Sequence, residues 1–142
     1  MHAGKKYTPE MVMDYSKAMK GARVAYIMDT FPHPHYVEAL THAKVDVLIH
    51  ESSFLESEKE RAAEVKHSTA KMAGEIAKHA HVRQLILTHF SARYPNGKDM
   101  MKEAASVFKP VTAAHDLMVV ELPERYAAET KKDKPKTKKS KK

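Results

Sequence analysis

The sequence predicts an α/β domain built on a largely parallel sheet. Three short, mainly apolar runs of strand length lie at 24–28, 45–49 and 84–88. Helix-forming segments separate them, and polar residues follow each run at its end. Runs of this kind are typical of strands covered on both faces. Strands that alternate with helices pair in parallel, so their carboxyl ends meet at one edge of the sheet.

Capping residues and apolar spacing predict the helices. Thr8 and Pro9 are typical of a helix start, so a first helix is expected to end near residue 19. A short helix is expected over 36–43, after a proline-stiffened loop, and residues 56–66 are expected to form a loop or an exposed helix. Ser68 or Thr69 caps the next predicted helix, whose apolar face comprises Met72, Ala73, Ile76, Ala77 and Ala80.

The remaining segments are predicted from a turn and from apolar spacing. Pro95-Asn96-Gly97 predicts a turn, and a helix is expected over 98–108 with an apolar inner face of Met101, Ala104, Ala105 and Phe108. Two short strands are expected at 111–114 and 117–122.

Composition restricts the kind of site. The chain has no cysteine, which excludes disulfides, thiolate metal sites and cysteine nucleophiles, so any metal must be held by His and Asp. No run of 18 apolar residues occurs, and the first residues lack the apolar stretch of a signal peptide. A cytoplasmic protein without a membrane partner is therefore expected.

The positive charge is concentrated at the end of the chain. Residues 131–142 contain eight Lys and one Asp and carry the whole net charge of +7, because the other residues comprise 17 basic and 17 acidic ones. Such a run cannot bury apolar surface, so 127–142 is expected to be a disordered basic tail and 1–126 the folded domain. The tail could bind phosphates without sequence preference or act only as a solubilising terminus.

Candidate ligands follow the apolar runs. Asp29, His50, Glu51 and His89 each lie at or just after the end of a predicted strand, and no glycine-rich phosphate loop is present. Carboxylate and imidazole groups that converge at one sheet edge are suited to metal-assisted hydrolysis, in which a divalent ion lowers the pKa of water to about 7.

Five motifs in order resemble the C-terminal half of ribonuclease Z (tRNase Z), the tRNA 3′-processing endonuclease of the metallo-β-lactamase superfamily. They are Ile27-Met28-Asp29-Thr30, His50-Glu51-Ser52-Ser53, His67-Ser68-Thr69, Thr88-His89-Phe90-Ser91-Ala92-Arg93-Tyr94 and Ala114-His115-Asp116-Leu117. The resemblance implies one βαβ-type layer of the αββα metallo-β-lactamase fold. Of these motifs, the last three distinguish the tRNA-processing branch.

The resemblance also implies roles for particular residues. Asp29 would bridge two zinc ions and His89 would ligate one of them. His67, oriented by Glu51, would donate a proton to the leaving 3′ oxygen of precursor tRNA. Ser91 and Arg93 would lie near the substrate phosphate. The residues expected to support the motifs are His50, Ser68, Thr69 and Asp116, the last of them by stabilising its turn.

The family's principal zinc motif, His-x-His-x-Asp-His, is absent. His33-Pro34-His35 has its first spacing, but Tyr36-Val37-Glu38 follows, so this pair is expected to lie in a loop and not to bind metal. Weak or absent zinc binding is expected of the isolated chain, since zinc sites use three or four protein ligands.

The missing half would leave one face of the sheet in water, formed by Val24, Tyr26, Val47, Ile49 and Ile86. An N-terminal-half partner chain, self-association or a longer gene product could cover it. Two functions remain open: one half of a zinc-dependent endoribonuclease, or a noncatalytic RNA-binding or interaction remnant of that fold.

Overall fold

A computed structural model describes residues 21–94 and 97–122. The strands form one sheet in the order β1-β2-β3-β4, and each neighbouring pair is parallel: β1 (Val24–Ile27), β2 (Val47–Glu51), β3 (Gln84–Thr88) and β4 (Val111–Ala113). The predicted α/β class with a parallel sheet is confirmed. The first predicted helix and the basic tail lie outside the described residues.

Helices occupy the connections between the strands: α1 (Pro34–Ala43), α2 (Lys59–Val65), α3 (Ala70–His79) and α4 (Lys98–Ala105), with a 3-10 turn at Glu56–Glu58 before α2. Thr69 caps α3 as predicted, because its hydroxyl accepts a hydrogen bond from the backbone N–H of Met72 at 3.1 Å. Among these helices, none is both long and apolar enough to cross a lipid bilayer.

The apolar core lies between the helices and one face of the sheet. Leu48, Leu85 and Leu87 point to this face and are fully buried. They pack with the small and aliphatic residues of α3 and α4, which include Ala73, Ile76, Ala77, Met100 and Ala104. The small side chains allow close packing of these elements.

The close approach of α3 and α4 depends on Gly74. A Cβ at this position would lie 2.6 Å from a methyl group of Val107 and 3.0 Å from the carbonyl oxygen of Ala104. We expect Gly74→Ala to destabilise the fold by about 1–3 kcal/mol through overpacking, in spite of alanine's higher helix propensity. Urea denaturation measures the change, and Gly74→Ala combined with Val107→Ala should recover part of the loss. Unchanged or increased stability would contradict the close approach.

The opposite face of the sheet is only partly covered. Tyr26 is 69% exposed and Val24 is exposed, while Ile49 is partly buried. The expectation of exposure was wrong for Val47 and Ile86, which are buried. The exposed pair belongs to β1, which has one neighbouring strand, whereas β2 and β3 each have two. Exposure on this face is therefore concentrated at β1.

Three local predictions need correction. Residues 117–122 form no strand: the chain turns after β4, where the N–H of Met118 donates to the carbonyl of His115, and Leu117 is 98% exposed. The last helix ends at Ala105, and Met100, not Met101, is fully buried, since Met100 and Ala104 are one turn apart. Helix α1 begins at Pro34 and not at Tyr36.

Candidate metal centre

The candidate site lies at the carboxyl ends of β1, β2 and β3. Asp29 follows β1, Glu51 ends β2 and His89 follows β3. The loop before α3 adds His67. Convergence of these groups was predicted, but β2 extends further than expected. Because side chains alternate along a strand, Glu51 projects to the face of Val47 and Ile49, whereas His50 projects into the helix-covered core.

Asp29, His67 and His89 form a compact group of donors. One ligand atom from each lies within 4.8 Å of the others, and Asp29 Oδ1 is 3.2 Å from His89 Nε2. The rings of His67 and His89 stack with centroids 5.5 Å apart. Carboxylate oxygen and imidazole nitrogen are zinc ligands. All three side chains reach solvent, so an ion and a substrate group can approach.

The backbone at two of these residues is unusual. Asp29 has φ of 48° and His89 has φ of 56°, both in the left-handed region that few non-glycine residues adopt. Each residue follows a strand, so the chain changes direction there and the side chains are presented at the sheet edge. Strained backbone of this kind clusters at functional sites.

Glu51 is the buried carboxylate of the site and contacts His67. Its side chain is 0% exposed and accepts hydrogen bonds from the hydroxyl of Ser53 at 2.7 Å and from the backbone N–H of Thr30. Both carboxylate oxygens lie 3.1 Å from Nδ1 of His67. A buried carboxylate needs such partners to offset its loss of hydration. The contact orients the His67 ring and leaves Nε2 for proton transfer or metal binding.

The motif-supporting residues hold the loop that carries His67. Ser68 donates a hydrogen bond to the carbonyl of Thr30 at 2.7 Å, which ties this loop to the loop of Asp29. Thr69 donates to Glu56 at 3.0 Å while it caps α3. Sequence analysis missed Glu103, whose carboxylate accepts from the backbone N–H groups of Glu56 and Lys71. No local pattern could have indicated contacts between residues so distant in sequence.

His50 is buried in the core, next to Glu51 in the sequence. Its Nδ1 donates to the carbonyl of Glu51 at 2.7 Å, and Nε2 has no hydrogen-bond partner in the described part of the chain. Burial lowers the pKa of His50 below its ordinary value of 6.5, although the carbonyl and charge of Glu51 oppose the shift. The ring is therefore neutral near pH 7.

This shift predicts a dependence of stability on pH. Below about pH 6.5 the unfolded chain takes up a proton at His50 that the folded chain resists. The contribution to folding stability is thus complete above that pH and is lost as the pH falls toward the folded-state pKa. We expect His50→Asn to show a smaller loss of unfolding free energy between about pH 7 and pH 5, measured by urea denaturation. The exposed His42→Asn should retain the wild-type slope, and equal slopes in all three proteins would refute the effect.

The two residues expected near a phosphate lie beyond His89. Arg93 pairs with Glu58 at 2.9 Å, and its guanidinium lies 5.7 Å from the ring centre of Phe54. The hydroxyl of Tyr94 also donates to Glu58, and burial together with this bond raises the pKa of Tyr94. The Ser91 hydroxyl is 3.5 Å from the Arg93 N–H. Their role at a phosphate stays a prediction.

Two further positions lie apart from this group. Asp116 is exposed in the turn after β4, and a role in stabilising that turn stays a prediction. His33 caps α1, because its Nδ1 accepts from the N–H of His35 at 3.3 Å, and the two rings stack. The expectation that this pair lies in a loop was wrong for His35, which lies within α1, and the expectation that the pair does not bind metal stays a prediction.

Comparisons with known proteins identify the relatives of this chain. No family model matches it. It is 41% identical over 120 residues to ribonuclease Z of Archaeoglobus fulgidus, which covers 84% of the chain. The chain is a partial homologue of ribonuclease Z. It spans 38% of the length of that protein, and 37% of ribonuclease Z from Nitrosopumilus maritimus, to which it is 38% identical over 114 residues.

Solved structures agree with this assignment. The metallo-β-lactamase-fold protein YhfI from Bacillus subtilis superposes with a TM-score of 0.58 at 28% identity, over 64% of this chain and 36% of that one. A long-form ribonuclease Z from yeast superposes with a TM-score of 0.57 at 32% identity, over 69% of this chain and 13% of that one. The chain therefore has part of the metallo-β-lactamase fold, as the motifs predicted.

Proposed function

We propose that this chain is one part of a metal-dependent endoribonuclease that cuts precursor tRNA at its 3′ side. The observation that carries the proposal is the pairing of buried Glu51 with His67 beside Asp29 and His89. The pairing supports a proton-transfer role for His67 beside the candidate metal ligands at one sheet edge. Relatives named ribonuclease Z support the same reaction.

The residues fit a divalent metal. Asp29 and His89 supply the oxygen and nitrogen donors that zinc accepts, and a carboxylate such as Asp29 can bridge two ions. When bound, zinc would supply Lewis-acid polarisation of the phosphoryl group and of the attacking water. His67 belongs to the same group of donors. We assign it to proton transfer because Glu51 fixes its ring.

The protein groups then have separate tasks. Glu51 holds Nδ1 of His67, so Nε2 can carry the proton that the leaving 3′ oxygen requires. Asp29 and His89 would bind the metal ion. Arg93 pairs with Glu58 and lies over the Phe54 ring, and the guanidinium N–H groups that do not face Glu58 would donate to a phosphate of the RNA.

The site is incomplete within the residues that the structure describes. With His67 assigned to proton transfer, Asp29 and His89 remain as metal ligands of this group, too few for even one zinc ion, since each zinc site needs about three. The exposed Val24 and Tyr26 lie on the sheet face that a further part of the fold would cover. We propose that an N-terminal half, in a partner chain or in a longer gene product, or a second copy of this chain supplies the missing ligands and covers this face.

This incompleteness predicts weak zinc binding by the isolated chain. We expect calorimetric titration with zinc to show no tight, stoichiometric site, and Asp29→Asn to remove what binding there is. Tight, stoichiometric zinc binding by the isolated chain would contradict the incomplete site. Asp99→Asn is a suitable control, since Asp99 is exposed on α4 and pairs with Lys102.

Reconstitution tests the function. The chain is mixed or co-expressed with the part of the Archaeoglobus fulgidus ribonuclease Z that it does not match, and cleavage of a precursor tRNA is assayed with added zinc. We expect cleavage only when both parts are present, and its loss in Asp29→Ala. If a complex forms, binds zinc and still does not cleave, the endonuclease proposal fails.

The alternative is a noncatalytic RNA-binding remnant. The concentration of the whole net charge of +7 in residues 131–142 favours it. In this case deletion of 131–142 should abolish RNA retention and its dependence on salt, whereas Asp29→Ala should have no effect. The endonuclease proposal requires the opposite result for Asp29→Ala in the cleavage assay.

A further inference from the structure

Ser53 lies between Glu51 and His89 in the candidate site. Its side chain is nearly buried, and its Oγ is 2.7 Å from Glu51 Oε2, 2.9 Å from His89 Nδ1 and 3.1 Å from the His89 carbonyl oxygen. One hydroxyl thus contacts both the carboxylate that orients His67 and the ring of a candidate metal ligand.

The hydroxyl has a single hydrogen, which restricts how these contacts are made. The shortest contact is with Oε2 of the buried Glu51 side chain, and a carboxylate oxygen is the strongest of the three acceptors near this hydroxyl. Ser53 therefore donates to Glu51. Its contact with His89 then requires Nδ1–H of the ring to donate to Oγ.

This assignment determines which nitrogen of His89 can bind metal. With the proton on Nδ1, Nε2 carries the lone pair, and Nε2 is the nitrogen that lies 3.2 Å from Asp29 within the donor group. Metal-binding histidines commonly donate their other N–H to a fixed acceptor, which sets both tautomer and ring orientation.

Glu51 does not hold His89 directly. Its Oε2 is 4.0 Å from His89 Nδ1, beyond hydrogen-bond distance. The same Oε2 is 3.1 Å from Nδ1 of His67. Ser53 therefore supplies the bridge from the carboxylate to His89, while His67 needs none.

We infer that Ser53 is a positioning residue that holds His89 with Nδ1 protonated and Nε2 free for a metal ion. Through Ser53, one buried carboxylate orients both the proton-transfer histidine and the metal-binding histidine. The inference rests on the proposed function for the use of the site, but the hydrogen bonds themselves can be tested without metal or RNA.

The test compares Ser53→Thr with Ser53→Val, which have side chains of the same shape and differ in the hydroxyl. Histidine tautomers are observed by long-range ¹H–¹⁵N NMR on the full chain without metal, at a pH where His89 is neutral. We expect Nδ1–H in the wild type and in Ser53→Thr. In Ser53→Val we expect the proton on Nε2, where Asp29 can accept it.

Two results would overturn the inference. The first is a wild-type His89 with its proton on Nε2, which needs no variant to be observed. The second is the same tautomer in Ser53→Thr and Ser53→Val. Ser106→Ala removes an exposed serine hydroxyl on the carboxyl end of α4 and should leave the His89 signals unchanged.

Zinc titration of the same variants in the reconstituted complex, followed by the His89 signals, gives a second measurement. We expect Ser53→Val to weaken zinc binding by about 10–100-fold relative to Ser53→Thr. Equal zinc affinities would contradict a positioning role. Failure of the reconstituted complex to cleave RNA would refute the proposed function and leave the tautomer result intact, so the two failures are distinguishable.

Discussion

Replacement of His67 by alanine is expected to lower the cleavage rate of the reconstituted complex by about 10²–10⁴-fold, the usual contribution of a general acid or base. The imidazole is held by Glu51 through Nδ1 and is partly exposed at the sheet edge, so its loss removes the proton donor without opening the core. Single-turnover cleavage of precursor tRNA with excess protein measures the chemical step.

The controls separate proton transfer from metal binding. His42→Ala changes an exposed histidine on α1 and should retain full activity. Zinc content of the reconstituted complex should be the same in His67→Ala and the wild type. If His67→Ala loses both zinc and cleavage activity, His67 is instead a metal ligand. This is geometrically possible because His67 lies in one group of donors with Asp29 and His89. Full activity of His67→Ala would exclude both roles.

The largest expected effect on stability comes from the middle of the sheet. Leu85 lies in β3, between β2 and β4, and is 0% exposed in the core. We expect Leu85→Ala to lower the free energy of unfolding by about 2–5 kcal/mol, because it removes buried methyl groups and leaves a cavity. Total stabilities of domains are about 5–15 kcal/mol, so the folded population should fall substantially.

Leu117→Ala is the matched control, since it makes the same chemical change at a residue that is 98% exposed. Its effect should stay within about 0.5 kcal/mol. Urea denaturation followed by circular dichroism measures both variants. A loss for Leu85→Ala as small as that for Leu117→Ala would be incompatible with the described core.

Prediction of which residues converge succeeded where the order of elements along the chain determines position. Asp29 and His89 follow apolar runs, and strands that alternate with helices bring their carboxyl ends together, so convergence of the two residues was predictable. Prediction failed where a contact joins distant segments. Ser53 was recognised only as part of a motif, whereas its bridging position follows from the packing of β2 beside β3.

The contacts of Arg93 also could not be predicted from the sequence. Its motif predicted a phosphate contact, but no pattern indicated that Glu58 would pair with it or that Phe54 would lie beneath it. The strand predicted over residues 117–122 is also absent. Their apolar spacing suits a strand, yet they follow a turn after β4 and form no strand, and Leu117 and Val119 are exposed.

The sequence by itself determined the α/β class, the strand ends that carry Asp29 and His89, and the kinship with ribonuclease Z, because periodicity, chain order and motifs are local properties. The tertiary structure alone decided that Glu51 is buried beneath both histidines and that Ser53 connects it to His89. These contacts depend on strand register and on the loop that returns before α3. Strand register is defined only when two strands pair, so the sequence of a single segment does not determine which side chains come into contact across the sheet.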